Sequence, residues 1–414
     1  MASVRRYHSR MRTRTLVTVG LLCAAAIVAS TQGESPRKAR ARELGISARI
    51  GGTPGALDAI TDVASVEVGH VTLISGQPPL VVGKGPVRTG VTVVHPRGKQ
   101  NPDPVFGAWF TLNGNGEMTG TTWLEESGIL EGPVAITNTH SVGVVRDAIL
   151  KWQVSRPGLQ PWGLPVVAET YDGSLNDING FHVNDAHTLQ ALDKATGGPV
   201  AEGNVGGGTG MICHQFKGGI GTASRALPAN DGGFVVGVLV QCNYGSRASF
   251  SVAGVPVGVE IPDLLPCATQ PKAGGRPPCE TPKQDPDAGR VDQGSIIVIV
   301  ATDAPLMPHQ LKRIATRVSL GIGRMGGVGG NSSGDIFLAF STANPKAASE
   351  RERSRVEMLA NDRMNGLFLA TVQATEEAIL NALLAAETME GGDGTRVYAL
   401  PHKRLLAAMQ KYGR

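Results

Sequence analysis

Gly294-Ser295-Ile296-Ile297-Val298-Ile299-Val300-Ala301-Thr302-Asp303-Ala304-Pro305-Leu306 is the stretch from which the rest of the chain can be read. Its apolar residues are β-branched and do not alternate with polar ones, which is the pattern of a strand buried on both faces. A small hydroxyl residue stands at the mouth of that run, directly after a glycine. If the bond before Ser295 is cut, Ser295 becomes an N-terminus at the head of a buried strand. A free α-amine titrates near ~8, so much of it is basic at neutral pH. One residue would then supply both nucleophile and base. Gly294 lacks a Cβ, so it permits the strained backbone and close approach such a cut needs. The commoner role of a serine at this position is a turn, and the remainder of the chain decides between them.

Other runs with strand character are Ala64–Leu73, Thr89–His95, Pro133–Thr139, Val166–Tyr171, Gly233–Gln241 and Asp335–Ser341. Helical spacing marks Val144–Trp152, His182–Ala195, His309–Ser319, one long or broken helix over Arg355–Glu387, and His402–Tyr412. Strands and helices are interleaved and several strands read as buried throughout, so the expected architecture is a layered α/β sandwich. Fifty-five glycines in 414 residues, without a period, suit tight turns and close backbone approaches and exclude collagen-like repeats.

Five arginines between Arg5 and Arg14 precede an apolar segment, Leu16–Ala29, and small residues at Val28-Ala29-Ser30. This reads as a signal peptide over 1–30, too short for a comfortable membrane span, and predicts a secreted or periplasmic protein. Residues 31–46 are polar and basic and read as a disordered lead-in, with one catalytic domain over 47–414. The Pro-, Lys- and Asp-rich segment 262–292 reads as a mobile loop just ahead of Ser295. In an oxidising compartment Cys267 and Cys279 are a natural disulfide pair closing a small loop, whereas Cys213 and Cys242 read as buried thiols. The net charge of +4 is concentrated near the N-terminus, and only 4% of residues are aromatic, so no nucleic-acid footprint is visible. No CxxC or HExxH spacing suggests a metal, and no cofactor is expected. Gly203–Gly210 lacks the lysine of a phosphate loop and reads as a close backbone approach. His95, His140 and His214 lack a G-x-S-x-G partner and read as structural. Glu125-Glu126 suits either a substrate amine or an exposed helix end.

Ala168-Glu169-Thr170-Tyr171-Asp172-Gly173, Val240-Gln241-Cys242-Asn243-Tyr244-Gly245, Gly294-Ser295 with its strand, and Asn331-Ser332-Ser333-Gly334-Asp335 with the strand to Thr342 together resemble the DmpA-type self-processing aminopeptidases. This family includes L-aminopeptidase/D-esterases and β-peptidyl aminopeptidases, and the resemblance runs from about residue 45 to the C-terminus. It implies a four-layer αββα sandwich like that of N-terminal-nucleophile hydrolases, with its own strand connectivity. It also implies self-cleavage between Gly294 and Ser295 into chains 47–294 and 295–414 that stay together, and assembly into a homo-oligomer. Carried over by residue, Ser295 is the nucleophile, Ser333 and Asp335 assist it, and Tyr171 and Asn243 line the oxyanion region. Aspartate at 335 stands where relatives are described with glutamate. Independently, residues two apart on an extended strand point the same way, which would aim Ser333 and Asp335 at one site.

The implied reaction releases an N-terminal residue from a peptide, amino-acid amide or ester through an acyl-enzyme. A threonine-dependent acyltransferase of related design fits less well, because the nucleophile is serine and the chain carries an export signal. A catalytically silent secreted binding protein of the same fold is the alternative outside enzymes.

Overall fold

The computed structural model describes residues 39–156, 162–271, 275–279, 294–348 and 353–414. The expected signal peptide lies outside them. Ser295–Thr302 is a strand buried along all eight residues. It pairs antiparallel with Val235–Asn243 and parallel with Asp335–Ser341. Val105–Thr111 and Ile129–Leu130 extend this sheet on one side and Gly219–Ala226 on the other, giving six strands. A second sheet of four strands runs in the order Glu67–Ser75, Val87–His95, Val134–Asn138 and Val166–Thr170.

The alternation of side chains across the Ser295 strand explains the layering. Ile296, Val298 and Val300 pack with Leu311, Val318, Ala374 and Leu383 from the helices Pro308–Arg324 and Asn365–Ala385. Ile297, Ile299 and Ala301 face the other way and pack with Val134, Ile136, Val166 and Ala168 of the second sheet. The outer face of that sheet is covered by Val145 and Ile149 of helix Val142–Val154 and by Ala191 and Leu192 of helix Asp185–Lys194. The result is helix, sheet, sheet, helix: the four-layer αββα sandwich. Three cores separate the layers, and the non-alternating apolar pattern follows from a strand that is covered on both faces.

The 21-residue helix Asn365–Ala385 is long and apolar enough to cross a membrane, yet 89% of its most apolar window is buried within the fold. Its hydrophobicity is accounted for by the six-stranded sheet.

Three expectations need correction. Residues 39–46, within the supposed lead-in, dock on the fold. Ala41 is fully buried, its N–H donates to Asn381 Oδ1 at 2.9 Å, and Arg40 donates to the carbonyls of Asp58 and Thr222. A polar composition looked unable to dock because its charged partners, Asp58 and Glu202, are remote in sequence. The supposed mobile loop is likewise held over 262–271 and 275–279. Cys267–Ala268 pairs with Thr395–Arg396, and Cys267 is bonded to Cys279. Finally, Cys213 and Cys242 are not thiols but a second disulfide, buried completely.

Candidate active site

Ser295 is six per cent exposed and opens its strand where the inner faces of the two sheets end. By alternation its hydroxyl shares the face of Ile297 and Ile299, toward the second sheet. The Gly334 N–H donates to Ser295 Oγ at 3.0 Å. Gly294 has φ +93°, and a Cβ there would sit 1.9 Å from the Asn243 carbonyl oxygen and 3.2 Å from Asn243 Nδ2. Only glycine fits, both by backbone conformation and by the neighbour's proximity.

Asn243 is the register partner of Ser295. Its Oδ1 accepts the Ile212 N–H at 2.8 Å, which turns the amide so that Nδ2 donates to the Tyr171 carbonyl at 3.1 Å. Asn243 Nδ2 also lies beside Gly294, 3.2 Å from where a Cβ on that residue would sit. Two further groups fix this arrangement. The Cys213–Cys242 disulfide joins the residues next to Ile212 and Asn243. The buried Lys217 Nζ donates to the carbonyls of Met211 and Gly218 at 2.8 and 2.9 Å. Burial pushes the Lys217 ammonium down to about 7.

Ser333 is fully buried and its Oγ has no hydrogen-bond partner among the described residues. Asp335 is also buried. Its N–H donates to Asn113 Oδ1 at 2.6 Å, and its Oδ2 accepts from Asn113 Nδ2 at 3.2 Å. Ser333 and Asp335 are not two positions on one strand: the strand begins at Asp335, and Ser333 lies in the turn closed by its N–H to the Gly330 carbonyl. What unites them is the intervening Gly334, whose N–H meets Ser295.

Ser295, Gly294, Asn243 and Tyr171 line one cavity of about 550 Å³ with Glu117, Glu169, Ser174, Pro266 and Arg276. Tyr171 is 52% exposed, and its ring folds over Gly173, where a Cβ would lie 2.3 Å from the phenol oxygen. Its carbonyl, rather than its hydroxyl, is what reaches Asn243. Behind it Asp172 is fully buried and bonded by Asn176 Nδ2 at 3.1 Å; burial pushes its carboxyl up to about 6.

Glu169, quoted in the sequence only as part of a motif, is a buried carboxyl in the same cavity that sequence reasoning did not single out. Its oxygens accept the Glu117 N–H at 3.0 Å and the Thr139 hydroxyl. Burial raises its pKa, and these hydrogen bonds oppose the shift. The other candidates fall elsewhere. His95 and His214 are buried and bonded to main-chain oxygens of Leu192 and Ser246, and Glu125 pairs with Lys312 on the surface. Gly206–Gly208 wedges against the inner sheet faces, where a Cβ on Gly207 would lie 2.2 Å from Gln241 Oε1. Among the described residues, no group of three or more His, Cys, Asp or Glu is placed to hold a metal.

The αββα sandwich places the chain in the fold class of the N-terminal-nucleophile hydrolases. Residues 58–397 match the model of peptidase family S58, and the chain belongs to that family. It is 53% identical over 401 residues to a β-peptidyl aminopeptidase, BapA, from Sphingosinicella microcystinivorans, covering 96% of this chain and 97% of that protein. A second BapA, from Sphingosinicella xenopeptidilytica, is 47% identical, covering 94% and 95%. Among solved structures, the L-aminopeptidase D-Ala-esterase/amidase of Ochrobactrum anthropi, described as a variant of the Ntn hydrolase fold, superposes with a TM-score of 0.79. It is 46% identical, with 91% of this chain and 99% of that chain covered. A Burkholderia β-aminopeptidase gives 0.78 at 48% identity over the same shares. The chain is therefore a hydrolase of the aminopeptidase type.

Proposed function

We propose that this protein is an exported, self-processing serine aminopeptidase that releases N-terminal residues, β-amino residues among them, from short peptides and amides. The observation that carries the reading is the junction itself. Gly294 can be replaced by nothing larger, Ser295 Oγ accepts the Gly334 N–H, and the Asn243 amide lies beside Gly294.

In maturation, Ser295 Oγ attacks the Gly294 carbonyl carbon. The C–N bond breaks, an ester joins Gly294 to Ser295 Oγ, and the nitrogen becomes a free amine. Water then hydrolyses the ester, leaving a Gly294 carboxylate. In turnover the new amine takes the Ser295 hydroxyl proton as Oγ attacks the substrate carbonyl. Asn243 Nδ2 stabilises the oxyanion, the leaving amine receives the proton, and water deacylates the serine. Ser333, a buried hydroxyl with unused hydrogen-bonding capacity, passes or orients that proton. Asp335, pinned through Asn113, supplies negative charge at the head of the neighbouring strand. Glu169 receives the substrate ammonium, which a buried carboxylate in the same cavity is suited to do. Export is supported by the two disulfides, which persist in oxidising compartments. The β-residue preference is supported by the two BapA relatives.

The decisive measurement is intact mass with N-terminal sequencing of the purified protein. Two chains are expected, one beginning Ser295-Ile296-Ile297. Ser295→Ala is expected to stay as one chain and to lose about 10⁴-fold or more in kcat. Folded wild-type protein that remains uncut on prolonged incubation overturns the mechanism.

A further inference from the structure

The catalytic cavity carries opposite charges from different parts of the chain. Glu117 and Glu169 bring carboxylates to it, and Arg276 brings the sole Lys or Arg side chain among its described lining residues. Arg276 belongs to the insert closed by Cys267 and Cys279. That insert is tied down next to the arginine. The Ala268 N–H donates to the Pro277 carbonyl at 2.8 Å, the Cys279 N–H donates to the Ala268 carbonyl at 3.1 Å, and the Thr269 N–H donates to the Gly394 carbonyl at 2.8 Å. Cys267 and Ala268 also pair with Arg396 and Thr395. A disulfide and a strand pairing therefore set the position of a guanidinium in the wall of the cavity that holds Ser295.

The hydrogen bond this guanidinium makes among the described residues is weak. Arg276 Nη2 reaches the neutral Ser174 Oγ at 3.5 Å. A planar fork of N–H donors matches a carboxylate in two parallel bonds, which a single hydroxyl does not use. A cavity of about 550 Å³ suits a small ligand rather than a long chain. A short peptide brings an ammonium at one end, a scissile carbonyl, and a carboxylate at the other end. The cavity offers Glu169, the Ser295–Asn243 pair and Arg276.

We propose that Arg276 binds the C-terminal carboxylate of a short peptide substrate, so that the enzyme selects peptides ending just beyond the scissile bond. The proposal rests on the aminopeptidase reading above and adds to it the leaving-group side of specificity. The disulfide-closed insert acts as a ruler: it places a cation at a set reach from the nucleophile. Substrates with an amide or aryl amine in that place forgo the ion pair and are cleaved on the strength of their N-terminal half alone.

The test compares a β-alanyl dipeptide bearing a free carboxylate with the same dipeptide amidated at its C-terminus. The readout is the ratio of their kcat/KM values in the wild type, Arg276→Ala and Arg276→Lys. The wild type is expected to favour the free acid. R276A is expected to lower the acid-to-amide ratio about 10- to 100-fold, chiefly through KM, and R276K to restore part of it. Cleavage of the amide by each variant reports that it is folded and processed. An unchanged ratio in R276A, or a wild type with no preference for the acid, overturns the proposal alone. A processed wild type that releases β-alanine from neither substrate overturns the β-aminopeptidase reading and this inference with it.

Discussion

Two cavities of similar size lie at opposite ends of the strand Asp335–Ser341. Ser332 lines the one before its start, and Lys346 and Ala348 line the one beyond its end. The second cavity, about 450 Å³, is also polar and also holds aromatic and basic side chains: Arg97, Lys99, Trp152 and Arg156. Three of its cations are held by the fold. Arg97 donates to the carbonyls of Thr342 and Ala343, Lys99 to those of Asp193 and Ala195, and Arg156 pairs with Asp193 and lies over the Trp152 ring. At the Ser295 end stand the buried Ser333 hydroxyl, with no partner among the described residues, a glycine that cannot carry a Cβ, and a guanidinium with a long bond to a neutral oxygen. Concavity and polarity are common to both ends. What sets the Ser295 end apart is a strand-head hydroxyl that accepts a main-chain N–H beside a glycine with no room for a Cβ.

This contrast can be broken most directly at Asn243. Asn243→Ala should lower kcat about 10²–10³-fold with little change in KM, because the donor acts where charge develops in the transition state. Steady-state kinetics on an amino-acid anilide reads it; a loss below fivefold would return Asn243 to a structural role beside Ile212.

A smaller effect is expected at Asp172, in stability. Its pKa is raised from 3.8 to about 6 by burial, so the folded state holds this proton after the unfolded chain has released it. That contribution is fully present below pH 4, is lost as pH rises from about 4 to about 6, and is constant above. This change corresponds to about 3 kcal/mol. Asp172→Asn should remove this component, so the difference between variant and wild type in urea unfolding should change across that window and nowhere else.

The smallest effect belongs to the opposite cavity. Lys99→Ala removes two bonds to main-chain carbonyls and should cost about 1 kcal/mol of stability. It should leave kcat/KM within about twofold. A tenfold loss of activity would mean the two ends are coupled through the strand they share.

Most of the layering was legible because burial on both faces writes itself as uninterrupted Val, Ile and Leu. The strand Val105–Thr111 was not, since Gly107, Ala108 and Trp109 give neither a β-branched run nor alternation. Gly219–Ala226 was hidden for a related reason. A Cβ on Gly221 would lie 2.0 Å from the Ala378 carbonyl, so the residue that lets a helix approach this strand is the one that makes it read as a loop. The long helix was placed ten residues too early; Arg355–Ala360 are largely exposed and the helix begins at Asn365. In the site, Ser295 and Gly294 announced themselves through local chemistry. Glu169 and Arg276 did not, because they share one cavity across more than a hundred residues of chain. The Cys213–Cys242 bond was equally silent, as a separation of 29 residues carries no spacing signal.

The six-stranded sheet gives the proposed cut at Gly294 an unusual thermodynamic meaning. The two strands after the cut, Ser295–Thr302 and Asp335–Ser341, are central, and both neighbours, Val235–Asn243 and Val105–Thr111, come from before it. Severing the chain there converts the sheet's own ladders into a subunit contact, with no separable globule on either side. Unfolding the mature molecule is then a dissociation. Its folded fraction depends on protein concentration, and its refolding is a second-order encounter, where the uncut precursor faces neither condition.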